Sequence, residues 1–143
     1  MLIKQLSIFV ENKSGRLAEI TAIIAQAGID IRALSIADTT NFGILRLIVD
    51  KPNEAEQVLK AAGLTVSLTN VIAIGIPDKP GGFASAMKCL AKAGIGIEYM
   101  YAFISRDEER AYVILRVADN DRAIATLQQN NVEIVAGDSV YTM

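Results

Sequence analysis

The chain has no histidine and no tryptophan, a single cysteine, three prolines among 143 residues and a net charge of only −2. Each shortage excludes something. Without histidine the chain lacks the side chain best suited to proton transfer at neutral pH and the commonest metal ligand. Nucleophilic triads and zinc sites lose their usual parts, so neither a metal nor another cofactor is expected. Cys89 has no second cysteine to pair with, and on the apolar stripe of a predicted helix it reads as a packing residue. The 14 Lys and Arg against 16 Asp and Glu are scattered, so nothing is built to neutralise a phosphate backbone and nucleic acid is not an expected partner. No apolar run reaches the ~20 residues of a membrane span, and no early segment has the order of a signal peptide. The expectation is a soluble chain of the reducing cytoplasm, away from membranes.

What the chain does have is a repeat. Asn12-Lys13-Ser14-Gly15 and Ala27-Gly28-Ile29-Asp30-Ile31 return 66 positions later (78 minus 12, 93 minus 27) as Asp78-Lys79-Pro80-Gly81 and Ala93-Gly94-Ile95-Gly96-Ile97. Over 12–31 against 78–97, 8 of 20 positions are identical, too many for unrelated amphipathic segments. The chain reads as a tandem duplication with domains 1–70 and 71–143. With 52% hydrophobic residues and 21% charged ones, it carries more apolar sequence than two such small units need for their own cores. The halves are expected to pack on each other and on a second copy, most simply as a homodimer.

Each unit reads as six elements. Leu6, Ile8 and Val10 alternate with more polar neighbours as a strand that stops at Asn12-Lys13-Ser14-Gly15. Leu17, Ile20, Ile23, Ile24 and Ala27 form one helical stripe, with Ser14 placed to cap its start and Gly28 suited to the left-handed turn beyond its end. Strands over 29–37 and 43–49 flank a polar turn at Asp38-Thr39-Thr40-Asn41. Pro52 opens a second helix that Gly63 ends, and Leu64 to Leu68 is a fourth strand. The second unit repeats the order: Val71 to Ile76, a helix carrying Phe83, Ala86, Met87 and Leu90, strands 97–104 and 110–117, a helix through Ile124 and Leu127, and a strand within 132–141. The pattern predicts an α+β fold of two ferredoxin-like βαββαβ repeats, antiparallel sheets with both helices on one face. In the second unit both faces of the 97–104 strand are apolar, which points to a contact on the sheet face.

For chemistry the loop before each first helix stands out. Pro80-Gly81-Gly82 falls where a phosphate loop would, but no nucleotide fingerprint follows. A short Gly/Pro turn ending in a helix N-terminus presents unpaired N–H groups that suit a small carboxylate. Asp30, at the start of the second strand, is the acid that would accept an ammonium group, and the two together describe a free amino acid. Asp107-Glu108-Glu109 reads as a solvated hairpin turn.

Val10-Glu11-Asn12-Lys13-Ser14-Gly15-Arg16-Leu17 with Gly28-Ile29-Asp30-Ile31, and Pro77-Asp78-Lys79-Pro80-Gly81-Gly82-Phe83 with Gly94-Ile95-Gly96-Ile97, resemble the ACT domain, a small regulatory module. The resemblance spans essentially the whole chain. It implies a ferredoxin-like fold, side-by-side pairing of domains, and binding of an amino acid at the domain interface to regulate an enzyme of amino-acid metabolism. The family's ligand loop falls on Asn12, Lys13, Ser14, Gly15, Arg16 and Leu17 and on Asp78, Lys79, Gly81, Gly82 and Phe83, and its polar second-strand contact on Asp30. Gly96 offers no side chain at the matching place. The glycines equally fit a purely backbone role, and Asn12 and Asp78 a turn-forming one. With nothing beyond the two repeats, the reading is a free-standing, non-catalytic sensor that acts on a separate enzyme or transporter, with 68–71 as its hinge. Arg16, Asp30, Arg32 and Arg46 lie near the first site, and Phe83, Tyr99 and Tyr101 near the second favour an apolar or aromatic ligand. Two alternatives stay open: a homo-oligomeric interaction module without ligand, and a small enzyme using Glu98, Tyr99 or Tyr112 at a dimer interface.

Overall fold

The computed structural model describes residues 2–38, 41–103 and 109–142, with Asp38 as backbone only. The chain divides into two compact units, Lys4–Thr69 and Asn70–Met143, the latter joined by Met1–Ile3. The turn at 39–40 and most of the acidic hairpin, 104–108, lie outside the described residues.

The first unit is built from β1 (Ile3–Glu11), α1 (Arg16–Gln26), β2 (Ile31–Asp38), β3 (Phe42–Val49), α2 (Pro52–Ala61) and the start of β4 (Thr65–Pro77). Its strands lie in the order β2-β3-β1-β4, with β1 and β2 both antiparallel to β3. The two-residue alternation of β1 and β3 puts Leu6, Ile8, Val10, Leu45, Leu47 and Val49 on one face, where Ile20 and Ile24 of α1 and Ala55 and Leu59 of α2 cover them. Fully burying each of the larger side chains contributes about 1.5–3 kcal/mol. Ser7 Oγ and Thr69 Oγ1, 3.5 Å apart, link β1 to β4 on the other face.

The second unit repeats this arrangement with the rest of β4, then α3 (Gly82–Lys92), β5 (Tyr99–Ala102), β6 (Arg110–Arg116), α4 (Asn120–Gln129) and β7 (Glu133–Val135). Its order is β5-β6-β4-β7, all pairs antiparallel. Its helix-side core is Ile72, Ile74, Ile76, Ala86, Leu90, Val113, Leu115, Ala123 and Leu127, with Cys89 among them as a packing residue whose thiol donates to the Ala86 carbonyl at 3.1 Å. Tyr101 and Phe103 on the helix-free side are buried, with Phe103 and Tyr112 packed ring to ring at 5.3 Å.

Three expectations are corrected. Ser14 does not cap α1: Gly15 holds the cap position with φ 87° and no side chain bonds there, because the chain enters the helix through a tight turn. The strands foreseen at 64–68 and 71–76 are one strand, β4, so the supposed hinge at 68–71 is sheet. Thr69 suits a strand, and the Asn70 carbonyl is taken by Arg116 Nη1 at 3.1 Å and Asn120 Nδ2 at 3.4 Å, so no turn is needed there. Of the last predicted strand only β7 forms; Gly137–Thr142 is a short helix, α5, which buries Val140 completely and overrides the β preference of Val140 and Tyr141.

Candidate functional site

The loop between β1 and α1 is shaped by a set of backbone bonds. Lys13 N donates to Glu11 O at 2.8 Å, Arg16 N to Lys13 O at 3.3 Å and Glu19 N to Gly15 O at 3.0 Å, while Asn12 N reaches Asn41 O of the β2–β3 hairpin at 3.0 Å. The loop before α3 has the same bonds 66 positions on: Lys79 to Pro77, Gly82 to Lys79 and Ser85 to Gly81, with Asp78 N on Glu109 O. Gly15 and Gly81 both stand at φ 87°, the conformation a type II turn demands at its third residue, and Pro80 occupies the second, where that turn favours proline. The plain backbone reading of these glycines is therefore sufficient for their presence. Among the described residues the amides of Leu17 and Ala18, and of Phe83 and Ala84, have no backbone acceptor, as the first turn of any helix leaves them.

The side chains around the two loops differ. In the first unit a cavity of about 180 Å³ is lined by Val10, Glu11, Asn12, Lys13, Arg16, Leu17, Ile36 and Gly43. Lys13 Nζ lies 2.9 Å and Arg16 Nη2 3.8 Å from Glu11 Oε2, and Arg16 Nη1 is 3.1 Å from Glu19 Oε2. The Lys13 ammonium, hydrogen-bonded to Glu11, and then the Arg16 guanidinium hold the Glu11 carboxyl below the usual carboxylate range. The apolar walls stand open to solvent: Leu17 is 44% and Ile36 51% exposed, next to Leu34 at 52% on the same outermost strand. In the second unit Pro77 replaces Glu11, Gly82 replaces Arg16, and Phe83, the counterpart of Leu17, packs against the core. A Cβ at Gly82 would run into the Pro77 carbonyl, so this loop is drawn tight where the first carries a guanidinium.

Asn12, Lys13, Arg16 and Leu17 are thus brought together, with Ser14 and Gly15 as the turn between them. Asp30 is not brought to them. The loop meets the Asp38 end of β2, through Asp38 opposite Gly43 and Glu11 opposite Phe42, whereas Asp30 precedes the other end, about 26 Å away along the strand. There it serves the fold: its N–H donates to Asp50 Oδ1 at 2.9 Å, and its carboxylate holds Arg32 Nη1 at 2.8 Å. Arg46 sits mid-strand on the helix-free face, opposite Ser7. Glu98 pairs with Arg116 at 3.4 Å, and Tyr101 and Tyr112 are buried. Sequence reading passed over Glu11 and Ile36 as site residues; the signal that finds them is the hairpin register, which sets Ile36 opposite Leu45 and the end of β1 beside the start of β3. Among the described residues no group of three or more acidic or sulfur ligands could hold a metal ion, and no helix is long and apolar enough to cross a membrane.

Two βαββαβ units with matching turn-to-helix loops define a tandem ferredoxin-like module, and sequence comparison gives its family. The family model described as an ACT domain pair matches residues 1–143, and the chain belongs to that family. Among solved structures, protein BT0572 from Bacteroides thetaiotaomicron is similar at 40% identity, with 100% of this chain and 98% of that chain covered and a TM-score of 0.94. The ligand-free regulatory subunit of aspartate kinase from Thermus thermophilus shares the fold at 18% identity, 90% and 93% coverage and a TM-score of 0.64. The aspartate kinase from Synechocystis is similar at 25% identity and a TM-score of 0.57, over 95% of this chain and 28% of that one. No curated protein matches the sequence.

Proposed function

We propose that the chain is a regulatory sensor that binds a free amino acid at the β1–α1 loop of its first unit and transmits that binding to a separate protein of amino-acid metabolism. The observation that carries this is the cavity at the start of α1, where unpartnered helix amides, two cations and open apolar walls adjoin. A ligand carboxylate takes the amides and the positive end of the helix. Leu17 and Ile36 take its side chain. The regulatory role rests on family membership and on the fold shared with the regulatory subunit of aspartate kinase from Thermus thermophilus. β2 closes one end of the strand order with Leu34 and Ile36 exposed, which supports a second copy of the chain alongside it, with the ligand at the junction between domains. Binding then regulates by favouring one arrangement of the copies over another.

A thermal-shift screen of the purified chain against the twenty amino acids tests this. A ligand at a hundredfold its dissociation constant stabilises the fold by about 2.7 kcal/mol, or roughly 5–10 °C. A selective shift supports the sensor; the absence of any shift, together with no saturable heat in calorimetry, overturns it. A second reading, a protein-interaction module without ligand, is favoured by one feature. Phe9 and Phe42, exposed with Ile44 on the helix-free face, stack at 5.0 Å between ring centres.

A further inference from the structure

Two separate surfaces of the first unit leave large apolar side chains open to water. Phe9 of β1 and Phe42 and Ile44 of β3 share the helix-free face, 49%, 42% and 37% exposed, with the Phe9 and Phe42 rings 5.0 Å apart between centres. Leu34 and Ile36 of β2, 52% and 51% exposed, stand on the opposite face, because the register sets them beside Leu47 and Leu45 of the helix-side core. The fold does not demand the helix-free patch. By strand register the second unit carries Gly75, Arg110 and Tyr112 at the places of Phe9, Phe42 and Ile44. There Arg110 donates to the Gly75 carbonyl at 2.8 Å and pairs with Glu133 at 2.7 Å, and Tyr112 is buried. One repeat closes this corner of its sheet with its own side chains; the other presents two stacked rings to solvent.

We infer that the patch of Phe9, Phe42 and Ile44 is a self-association surface, and that one second copy of the chain covers it together with the β2 edge. The β2 half rests on the pairing described above; the helix-free face is new. Area favours one copy over both surfaces. With side chains of this size, the face patch presents roughly 300 Å² of apolar surface and the β2 pair roughly 200 Å². A standard stable interface buries about 800 Å² per partner, of which about 60%, or roughly 500 Å², is apolar. Neither surface reaches that alone, and the two together do. Position excludes a plain edge-to-edge neighbour. β1 lies two strands in from β2, so Phe9 is about 10 Å from the edge and on the other side of the sheet from Leu34 and Ile36. A strand laid along β2 does not reach it; the partner has to extend round onto the helix-free face, where exposed aromatic rings are the residues interfaces favour. A chain of two compact units has the extent to do both.

Sedimentation velocity over a dilution series of the full chain, with far-ultraviolet circular dichroism as the check on folding, tests this. The chains compared are wild type, Phe9→Thr with Phe42→Thr, Ile44→Lys, and Leu34→Lys with Ile36→Lys. Threonine keeps the β preference of the strands, and Ile44→Lys alters the same patch without replacing either ring. Wild type is expected to sediment as two chains. Each variant is expected to raise the dimer dissociation constant at least about a hundredfold, so that single chains dominate on dilution. If both face variants stay dimeric, the inference is overturned and the patch is left to a foreign protein; dissociation of the β2 variant alone then leaves the β2 pairing standing. Dissociation of the face variants with the β2 variant still dimeric overturns the joint interface and the β2 pairing. A wild type heavier than two chains that falls to two in every variant divides the surfaces between different copies and overturns the single-partner conclusion. Single chains in wild type overturn the inference and the β2 pairing together. The thermal-shift screen reads the ligand independently of all these outcomes.

Discussion

Replacing Gly82 by alanine discriminates between the two loops. The backbone of Gly82 lies so close to the Pro77 carbonyl that a Cβ must displace it, and that oxygen already accepts the Lys79 N–H at 2.9 Å. The new methyl group therefore meets backbone and not the yielding end of a side chain, so the loop must open or the first turn of α3 must shift. Overpacking of this kind costs about 1–3 kcal/mol. For a chain of this length that lowers the melting temperature by roughly 3–10 °C. Arg16 occupies the same loop position in the first unit and carries a Cβ already, with the turn bond there relaxed to 3.3 Å from the 3.1 Å of Gly82. Arg16→Ala removes only exposed ion pairs and is expected to change stability by no more than about 0.5 kcal/mol. Urea unfolding followed by circular dichroism measures both. A Gly82→Ala chain with the wild-type midpoint and slope would show that the loops are interchangeable in tightness and refute the reasoning.

Other outcomes are expected from the same contacts. Ile24→Ala and Leu90→Ala, which empty matching positions in the two helix-side cores, each cost about 2–5 kcal/mol, read from urea midpoints. The folded-state pKa of Glu11 is depressed, so the stability it contributes is present above its unfolded value and lost as pH falls through the lower folded one. A side-chain NMR titration should find its midpoint low in wild type and raised towards the ordinary value in Lys13→Met. Leu34→Lys combined with Ile36→Lys, on the outermost strand, should leave the fold intact and shift sedimentation towards the single chain; unchanged sedimentation would rule out β2 as the self-association edge. Cys89, buried in the second core, should resist thiol reagents in the native state and react fully in urea.

Most elements were legible because their signals are local. The alternation of Leu6, Ile8 and Val10, the stripe of Ile20 and Ile24, and Pro52 opening α2 each fix a structure within a few residues. What escaped was decided at a distance. Whether Thr69-Asn70 turns or runs on depends on Arg116 and Asn120, more than forty residues away, which satisfy the Asn70 carbonyl. Whether 137–142 is strand or helix depends on burying Val140. The distance of Asp30 from the loop of its own chain has the same origin. In sequence Asp30 follows the loop by one helix and looks like its neighbour, yet α1 carries the chain back along the sheet, so the start of β2 lies at the opposite end from the loop.

The duplication itself separates fold from site. The letters shared by the two repeats include Gly15 and Gly81 and Gly28 and Gly94, all at positive φ, where the backbone favours glycine. The cavity owes its character to positions where the repeats disagree: Glu11 against Pro77, Arg16 against Gly82, Leu17 against Phe83. Turns and cores constrain both copies, while side chains at the mouth of the loop differ, Asn12 against Asp78 and Arg16 against Gly82. A search of this chain for repeated letters therefore finds the scaffold. What distinguishes the two loops lies where the letters part, at Glu11, Arg16 and Leu17.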